Sequence, residues 1–231
     1  MSYSTFRDAF FSERKHSSDK WEHYFEIYDH VMGRFYGQRV NYLEIGVQDG
    51  GSLETARKLF DPASTIIGMD VDPRCRLMEQ LGVADRIIIG SQASDDALRE
   101  VTDYCPGLDI VIDDGSHVQS HMLVSFIRLF PAVSQNGVYI IEDTHTDYSP
   151  EHQESFFGIG LYDYFKGLSE RLNIDFIDAD LRRNRYKLPR EARPPRPYPA
   201  DICREIFSIE FFDSVIAVRK RRKQEPLRIR R

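Results

Sequence analysis

The sequence predicts a doubly wound α/β fold built on a mostly parallel seven-stranded sheet of Rossmann-like type. Three observations predict it. Short runs rich in Val and Ile recur through the middle of the chain, nearly continuous in apolar character, as strands covered on both faces are. Amphipathic stretches of 10–16 residues separate them, which implies βαβ units. Near the end, residues 206–219 (IFSIEFFDSVIAVR) hold two further strands with Asp213 and Ser214 at the bend. A connection that short makes the pair an antiparallel hairpin.

In chain order, the first 36 residues read as two helices forming an N-terminal cap. Ser18 is placed to cap the second, and Trp21, Tyr24, Phe25 and Tyr28 form a packing face. Strands follow at 40–46 (VNYLEIG), 64–70 (STIIGMD), 86–90 (RIIIG), 108–113 (LDIVID) and 137–142 (GVYIIE). Helices are predicted at 51–60, 73–81, 94–104 and 118–133, with Pro73 suited to a first helical turn. The main domain is thus expected over 37–220 and a basic tail over 221–231. Within the domain, 182–200 reads as an exposed loop or lid, because 189–199 (PREARPPRPYP) concentrates five of the eleven prolines.

Of the 231 residues, 41% are hydrophobic and 29% charged, ordinary values for a globular protein that exclude a disordered chain. No apolar stretch is long enough for a membrane helix, and the charged N-terminus has no apolar core of a secretory signal. Cys75, Cys105 and Cys203 are odd in number and lack CxxC spacing, which points to reduced thiols and a cytoplasmic location. The formal charge is −6, but residues 219–231 carry eight basic residues and one acid. The other 218 residues hold 23 basic and 36 acidic side chains, a net of −13, so neither nucleic acid nor a membrane is expected as a partner.

Ligands of open α/β sheets bind beyond the carboxyl ends of the strands. The loop after the first strand reads Glu44-Ile45-Gly46-Val47-Gln48-Asp49-Gly50-Gly51, and its glycines permit close backbone approach to a ligand. It is not GxGxxG. Glu44 would repel a pyrophosphate yet suit a cationic ligand, and Asp70 closes the second strand where an acid can accept from both ribose hydroxyls. That combination fits S-adenosylmethionine better than a dinucleotide.

A second cluster follows the fourth and fifth strands: Asp113-Asp114-Gly115-Ser116-His117 and Glu142-Asp143. If those strands are neighbours, about 4.8 Å apart, Asp114, Glu142 and Asp143 converge. Carboxylates so close repel unless a cation sits among them, and an all-oxygen set favours Mg²⁺ or Mn²⁺. His117 is suited to proton transfer near neutral pH. Bland readings stand beside these, including a capping box of Ser116 with Gln119 and simple loop roles for His145 and Tyr148.

YLEIGVQDGGS, GMDVDP and the pair IDDGSH and IIEDTHTDY resemble the class I S-adenosylmethionine-dependent methyltransferases. Within them the match is to metal-dependent sugar O-methyltransferases of the macrocin and mycinamicin type, with cephalosporin hydroxylase-like proteins sharing the pattern. The resemblance covers roughly residues 18–148 and resumes at 211–220 (FFDSVIAVRK). It implies that Glu44, Gly46 and Asp70 bind the cofactor, with Ser91 and Gln92 by the adenine and Asp113 lining the same pocket. It implies a segment holding Lys20, His23 and Tyr24 that closes over cofactor and acceptor, with His145 and Tyr148 as further acceptor contacts. The acceptor it implies is a sugar or glycoside hydroxyl, and such folds commonly form homo-oligomers. A catechol-type O-methyltransferase and a non-catalytic scaffold are the alternatives.

Overall fold

The computed structural model describes residues 3–173, 202–224 and 229. Its sheet has the order β3-β2-β1-β4-β5-β7-β6. The parallel strands are β1 (Asn41–Ile45), β2 (Thr65–Asp70), β3 (Arg86–Ile89), β4 (Leu108–Asp113) and β5 (Val133–Ile141). The last pair, β6 (Ile206–Phe212) and β7 (Val215–Lys220), is the expected antiparallel hairpin, and β7 runs antiparallel to β5. The strand order reverses between β1 and β4, the topological switch point where such sheets open a crevice.

Side-chain alternation divides the core in two. Tyr42, Ile66, Ile110, Ile112, Val138 and Ile140 point to a face covered by helices α1 (Phe6–Phe11), α2 (Tyr24–Met32) and α3 (Gly51–Leu59). Leu43, Ile67, Val111, Tyr139 and Ile141 point to the other, which packs on α5 (Asp95–Tyr104), α6 (Gln119–Leu129) and α7 (Leu161–Arg171). The short α4 (Arg76–Gln80) continues a 3₁₀ turn at Pro73–Cys75, where Pro73 takes a first-turn position and the Asp72 side chain caps.

Four local expectations are corrected. α2 begins at Tyr24 with His23 at its N-cap and no side-chain cap, so Ser18 plays no capping part. Val118, not Ser116, is the N-cap of α6; Gln119 is then its first residue, and the geometry of a capping box is lost. α6 stops at Leu129 because Pro131 cannot donate a helical hydrogen bond, and a 3₁₀ turn at Phe130–Ala132 leads into β5, which starts earlier than predicted. α7 was not anticipated, since aromatic residues and Gly167 blur its apolar period.

All three cysteines are buried and none is in a disulfide. Among the described residues no helix is long and apolar enough to cross a membrane. The Arg/Pro segment 182–200 lies outside the described residues, as does most of the basic tail.

Candidate active site

The loop from β1 to α3 turns at Gly46, whose φ is +92°, and a Cβ there would collide with the Asp114 carbonyl. Only glycine permits both the left-handed backbone and the close passage. Gly46→Ala is therefore expected to cost about 1–3 kcal/mol in strain and overpacking, read as a fall in the thermal midpoint. Asp70 stitches the same loop. One of its oxygens accepts from the Val47 and Gln48 amides at 2.8 and 3.1 Å, and the other from the Asp72 amide at 2.9 Å. A carboxylate has about four acceptor sites, so Asp70 keeps capacity for a ligand's hydroxyl.

Gly46, Asp70, Ser91, Gln92, Gly115 and Ser116 are among the residues lining a cleft of about 220 Å³ at the switch point. Gln92 is itself almost buried; its amide donates to Asp113 Oδ1 at 2.8 Å, and its carbonyl accepts from the Ser116 amide at 2.7 Å.

Asp113 does not line this cleft, contrary to expectation. It pairs with Ile45 and Ile141 on the face toward α6, fully buried, and accepts from Gln92, Ser125 and Tyr139. Burial raises its pKa, and the three donors and the His117 charge oppose the rise. Glu44 is also absent from the cleft lining. One register position away, it points to the opposite face and accepts from Tyr42 Oη at 2.8 Å.

Period-two alternation puts Glu44, Asp114 and Glu142 on that same N-terminal face, and Lys20 enters among them. Its side chain is 5% exposed; Nζ bonds Asp114 Oδ2, lies 2.8 Å from Glu142 Oε2 and 3.7 Å from Glu44 Oε1. Burial alone would lower the lysine pKa, but Glu142, Asp114 and Glu44 together hold the ammonium well above its usual range. Glu142, 1% exposed, is raised by burial and by Asp114, with Lys20 and the Tyr28 hydroxyl opposing. Tyr28 Oη donates to its second oxygen at 2.6 Å. Lys20, expected to face the acceptor, has its ammonium inside the acidic cluster and also lines the cavity next to it.

Asp114, His117 and Asp143 come together with one potential ligand atom each, all within 4.8 Å of one another. His117 Nε2 is 3.9 Å from Asp114 Oδ1 and 3.6 Å from Asp143 Oδ2, while its Nδ1 is buried without a hydrogen-bond partner. Both His117 (φ 56°) and Asp143 (φ 52°) hold left-handed backbone, uncommon outside glycine though His and Asp adopt it more readily than most residues. Of the expected trio, Asp114 and Asp143 meet here with His117, while Glu142 gives its oxygens to Lys20 and Tyr28.

These groups edge a second cavity of about 420 Å³, with Asp19, Trp21 and Tyr24 on its N-terminal side. Tyr24 Oη donates to Asp143 Oδ1 at 2.6 Å; burial and that carboxylate push its pKa up. His145 bonds Ser214 Oγ through Nδ1 and stands edge-on to Trp21. Tyr148 is 74% exposed and stacks on Tyr162, outside the cavity lining. The hydroxyls of Tyr28 and Tyr42 were missed as partners of the acids. Their signal was available, since a buried tyrosine hydroxyl needs an acceptor and Tyr24 and Tyr28 share one helical face.

The sheet order, the switch-point cleft and the acidic strand ends define a class I methyltransferase fold. The solved structure of the MycE methyltransferase of mycinamycin biosynthesis with Mg and SAH aligns at a TM-score of 0.69 and 30% identity, over 87% of this chain and 49% of that one. MycE with Mg, SAH and mycinamycin VI aligns at 0.70 and 28%, over 94% and 53%. In sequence, the chain is 42% identical over 148 residues to 8-demethyl-8-(2-methoxy-alpha-L-rhamnosyl)-tetracenomycin-C 3'-O-methyltransferase of Streptomyces olivaceus, spanning 59% of this chain and 36% of that protein. It is 33% identical over 205 residues to mycinamicin VI 2''-O-methyltransferase of Micromonospora griseorubida, spanning 86% and 48%. Its homologues are therefore sugar O-methyltransferases, and the chain spans about half or less of the length of these curated relatives. No protein-family model matches the sequence.

Proposed function

We propose that the chain is an S-adenosylmethionine- and divalent-metal-dependent O-methyltransferase acting on a hydroxyl of a sugar or glycosylated natural product. The observation that carries this reading is the convergence of Asp114, His117 and Asp143 next to a cleft lined by Gly46, Asp70, Ser91 and Gln92. The residues fit both groups. The cleft is acidic at Asp70 and free of a pyrophosphate cradle, and the hard oxygen donors with one imidazole suit Mg²⁺ or Mn²⁺. The kinship to MycE, solved with Mg and SAH, supports the same pairing.

In this reading, Asp70 takes the ribose hydroxyls, and Gly46 lets the backbone approach the ligand. Ser91 and Gln92 border the adenine, and Gln92 is itself held by Asp113. Glu44 acts from behind the cleft through Lys20 and Tyr42, without touching the cofactor. Asp114, Glu142 and Asp143 hold the cation, and His117 takes the acceptor's proton. When bound, the sulfonium supplies the methyl group and the cation lowers the pKa of an oxygen it touches. The chain's own work is positioning: His117 and the cleft would hold a glycoside hydroxyl next to the methyl donor, and His117 would accept the hydroxyl's proton. Trp21 and Tyr24 border the acceptor side, with His145 edge-on to Trp21, and a role for Tyr148 in acceptor contact would need a larger acceptor reaching beyond the cavity. The division into cap 1–36, domain 37–220 with lid 182–200, and tail 221–231 belongs to this reading. So does a homo-oligomer, supported by the exposed Phe11 and Trp21.

The test is incubation with labelled S-adenosylmethionine and a panel of glycosides, nucleotide sugars and catechols; label confined to catechols overturns the sugar acceptor. S-adenosylmethionine and its demethylated product are expected to bind in calorimetry, and NAD not to. Asp70→Ala is expected to weaken the cofactor by about 1.5–3 kcal/mol, the scale of hydrogen bonds to a charged group. Equal affinity for NAD sinks the cofactor assignment.

A further inference from the structure

We infer that Lys20 is an internal counter-ion which a divalent cation must displace, so that the N-terminal strap and the ion occupy the acidic cluster alternately. The inference rests on the proposed metal role of Asp114, Glu142 and Asp143. Its ground is geometric. Lys20 Nζ is bonded to Asp114 Oδ2 and is 2.8 Å from Glu142 Oε2, the two oxygens a shared cation would use. The other oxygen of Glu142 is taken by Tyr28 Oη. Magnesium demands ligand distances of about 2.0–2.1 Å, so an ion bound between Asp114 and Glu142 would overlap the ammonium. Three carboxylates, Glu44, Asp114 and Glu142, lie within 3.7 Å of the ammonium, and charges so little exposed as Glu44 and Glu142 need a cation beside them. Lysine supplies one until the ion arrives.

The strap that carries Lys20 is tied to the cofactor loop. The Gly51 amide donates to the Ser17 carbonyl at 3.1 Å, and Glu54 accepts from the Lys15 and His16 amides at 3.0 and 3.1 Å. A Cβ on Gly51 would collide with that Ser17 carbonyl, so strap and loop are fitted closely. Ejection of Lys20 therefore removes the strap's anchor in the metal site while leaving its anchor at the cofactor loop. Lys20 already lines the cavity with Asp19, Trp21 and Tyr24, where the acceptor would bind, and the freed ammonium would turn further into it. Lys20 is on this view a positioning residue that trades places with the ion.

The experiment is amine-selective acylation of the unmodified protein, read by mass spectrometry at Lys20 with chelator and with Mg²⁺. Lys220 is the internal control, since it is buried far along β7 and donates to the Phe130 and Pro131 carbonyls. Lys20 is expected to be protected in chelator and modified at least about tenfold faster with Mg²⁺, while Lys220 is unchanged. In parallel, Lys20→Met removes the competitor and is expected to tighten Mg²⁺ in calorimetry by about tenfold, the factor by which an occupied site taxes affinity. Should the variant fail to fold, the labelling alone decides. If Mg²⁺ binds the unmodified protein and Lys20 stays protected, the inference is overturned while the metal reading stands, with the ion on Asp114 Oδ1, His117 and Asp143. Equal Mg²⁺ affinity in a folded Lys20→Met variant overturns it as well. If Mg²⁺ binds neither form, the metal reading itself fails, and the inference goes with it.

Discussion

Stripping divalent cations from the protein is expected to abolish methyl transfer to a glycoside acceptor, and Mg²⁺ or Mn²⁺ to restore it. Asp114 and Asp143 stand with His117 at the end of β4 and β5, close enough that their mutual repulsion calls for a cation. Cofactor binding is expected to persist in chelator, because Asp70, Ser91 and Gln92 line the cleft without belonging to the acidic cluster, although Asp114 borders both. His117→Ala is expected to lower kcat by roughly 10²–10⁴, the span of a lost general base. The metal should still bind that variant, since the three carboxylates are assigned to the ion and the imidazole to the proton. Asp114→Ala should instead weaken the ion first and respond partly to excess Mg²⁺. Full activity in chelator refutes the mechanism. Loss of the metal together with activity in the His117 variant would make the histidine a ligand, a role its 3.6 Å separation from Asp143 also allows.

The fold was legible because it depends on patterns that are local. Parallel strands buried on both faces show as unbroken apolar runs, and the hairpin at Asp213 and Ser214 leaves no room for a crossover. The meeting of Asp114 with Asp143 was legible for the same reason, since neighbouring strands deliver their ends to one place. What alternation decides was readable but overlooked. Asp113 and Ile112 are adjacent in sequence yet face opposite layers, so Asp113 could not share a surface with Asp114 and Glu44. The insertion of Lys20 was out of reach of any local pattern. It lies 94 residues before Asp114 and 122 before Glu142, in a strap with no periodicity to fix its direction. Ser18 shows the same limit from the other side: a good capping residue is idle where the helix begins only at Tyr24.

Asp113→Ala is expected to be the most damaging single substitution in the cofactor half of the molecule, although Asp113 touches no ligand. Its carboxylate accepts from Gln92 Nε2, Ser125 Oγ and Tyr139 Oη, all buried. Removing the shared acceptor leaves the Tyr139 hydroxyl unpaired, at about 1–3 kcal/mol, reduces Ser125 and Gln92 to their longer bonds with the Met122 carbonyl and Ser125 Oγ, and opens a cavity where the carboxylate was. A total near 3–5 kcal/mol is typical when one member of a buried charged network is lost. For a chain of this length, with about 2–4 °C per kcal/mol, the thermal midpoint should fall by about 6–20 °C. A second effect follows from connectivity. Gln92, released from Asp113, no longer presents its carbonyl to the Ser116 amide, and the loop that walls the cleft loses its tie. Cofactor affinity should therefore fall even at temperatures where the variant is fully folded. Ser125→Ala, which removes only one of the three donors, serves as the graded control and should keep Gln92 in place. A variant at Asp113 that melts early yet binds the cofactor normally would confine the residue to the core and leave Gln92 to be positioned by the loop alone.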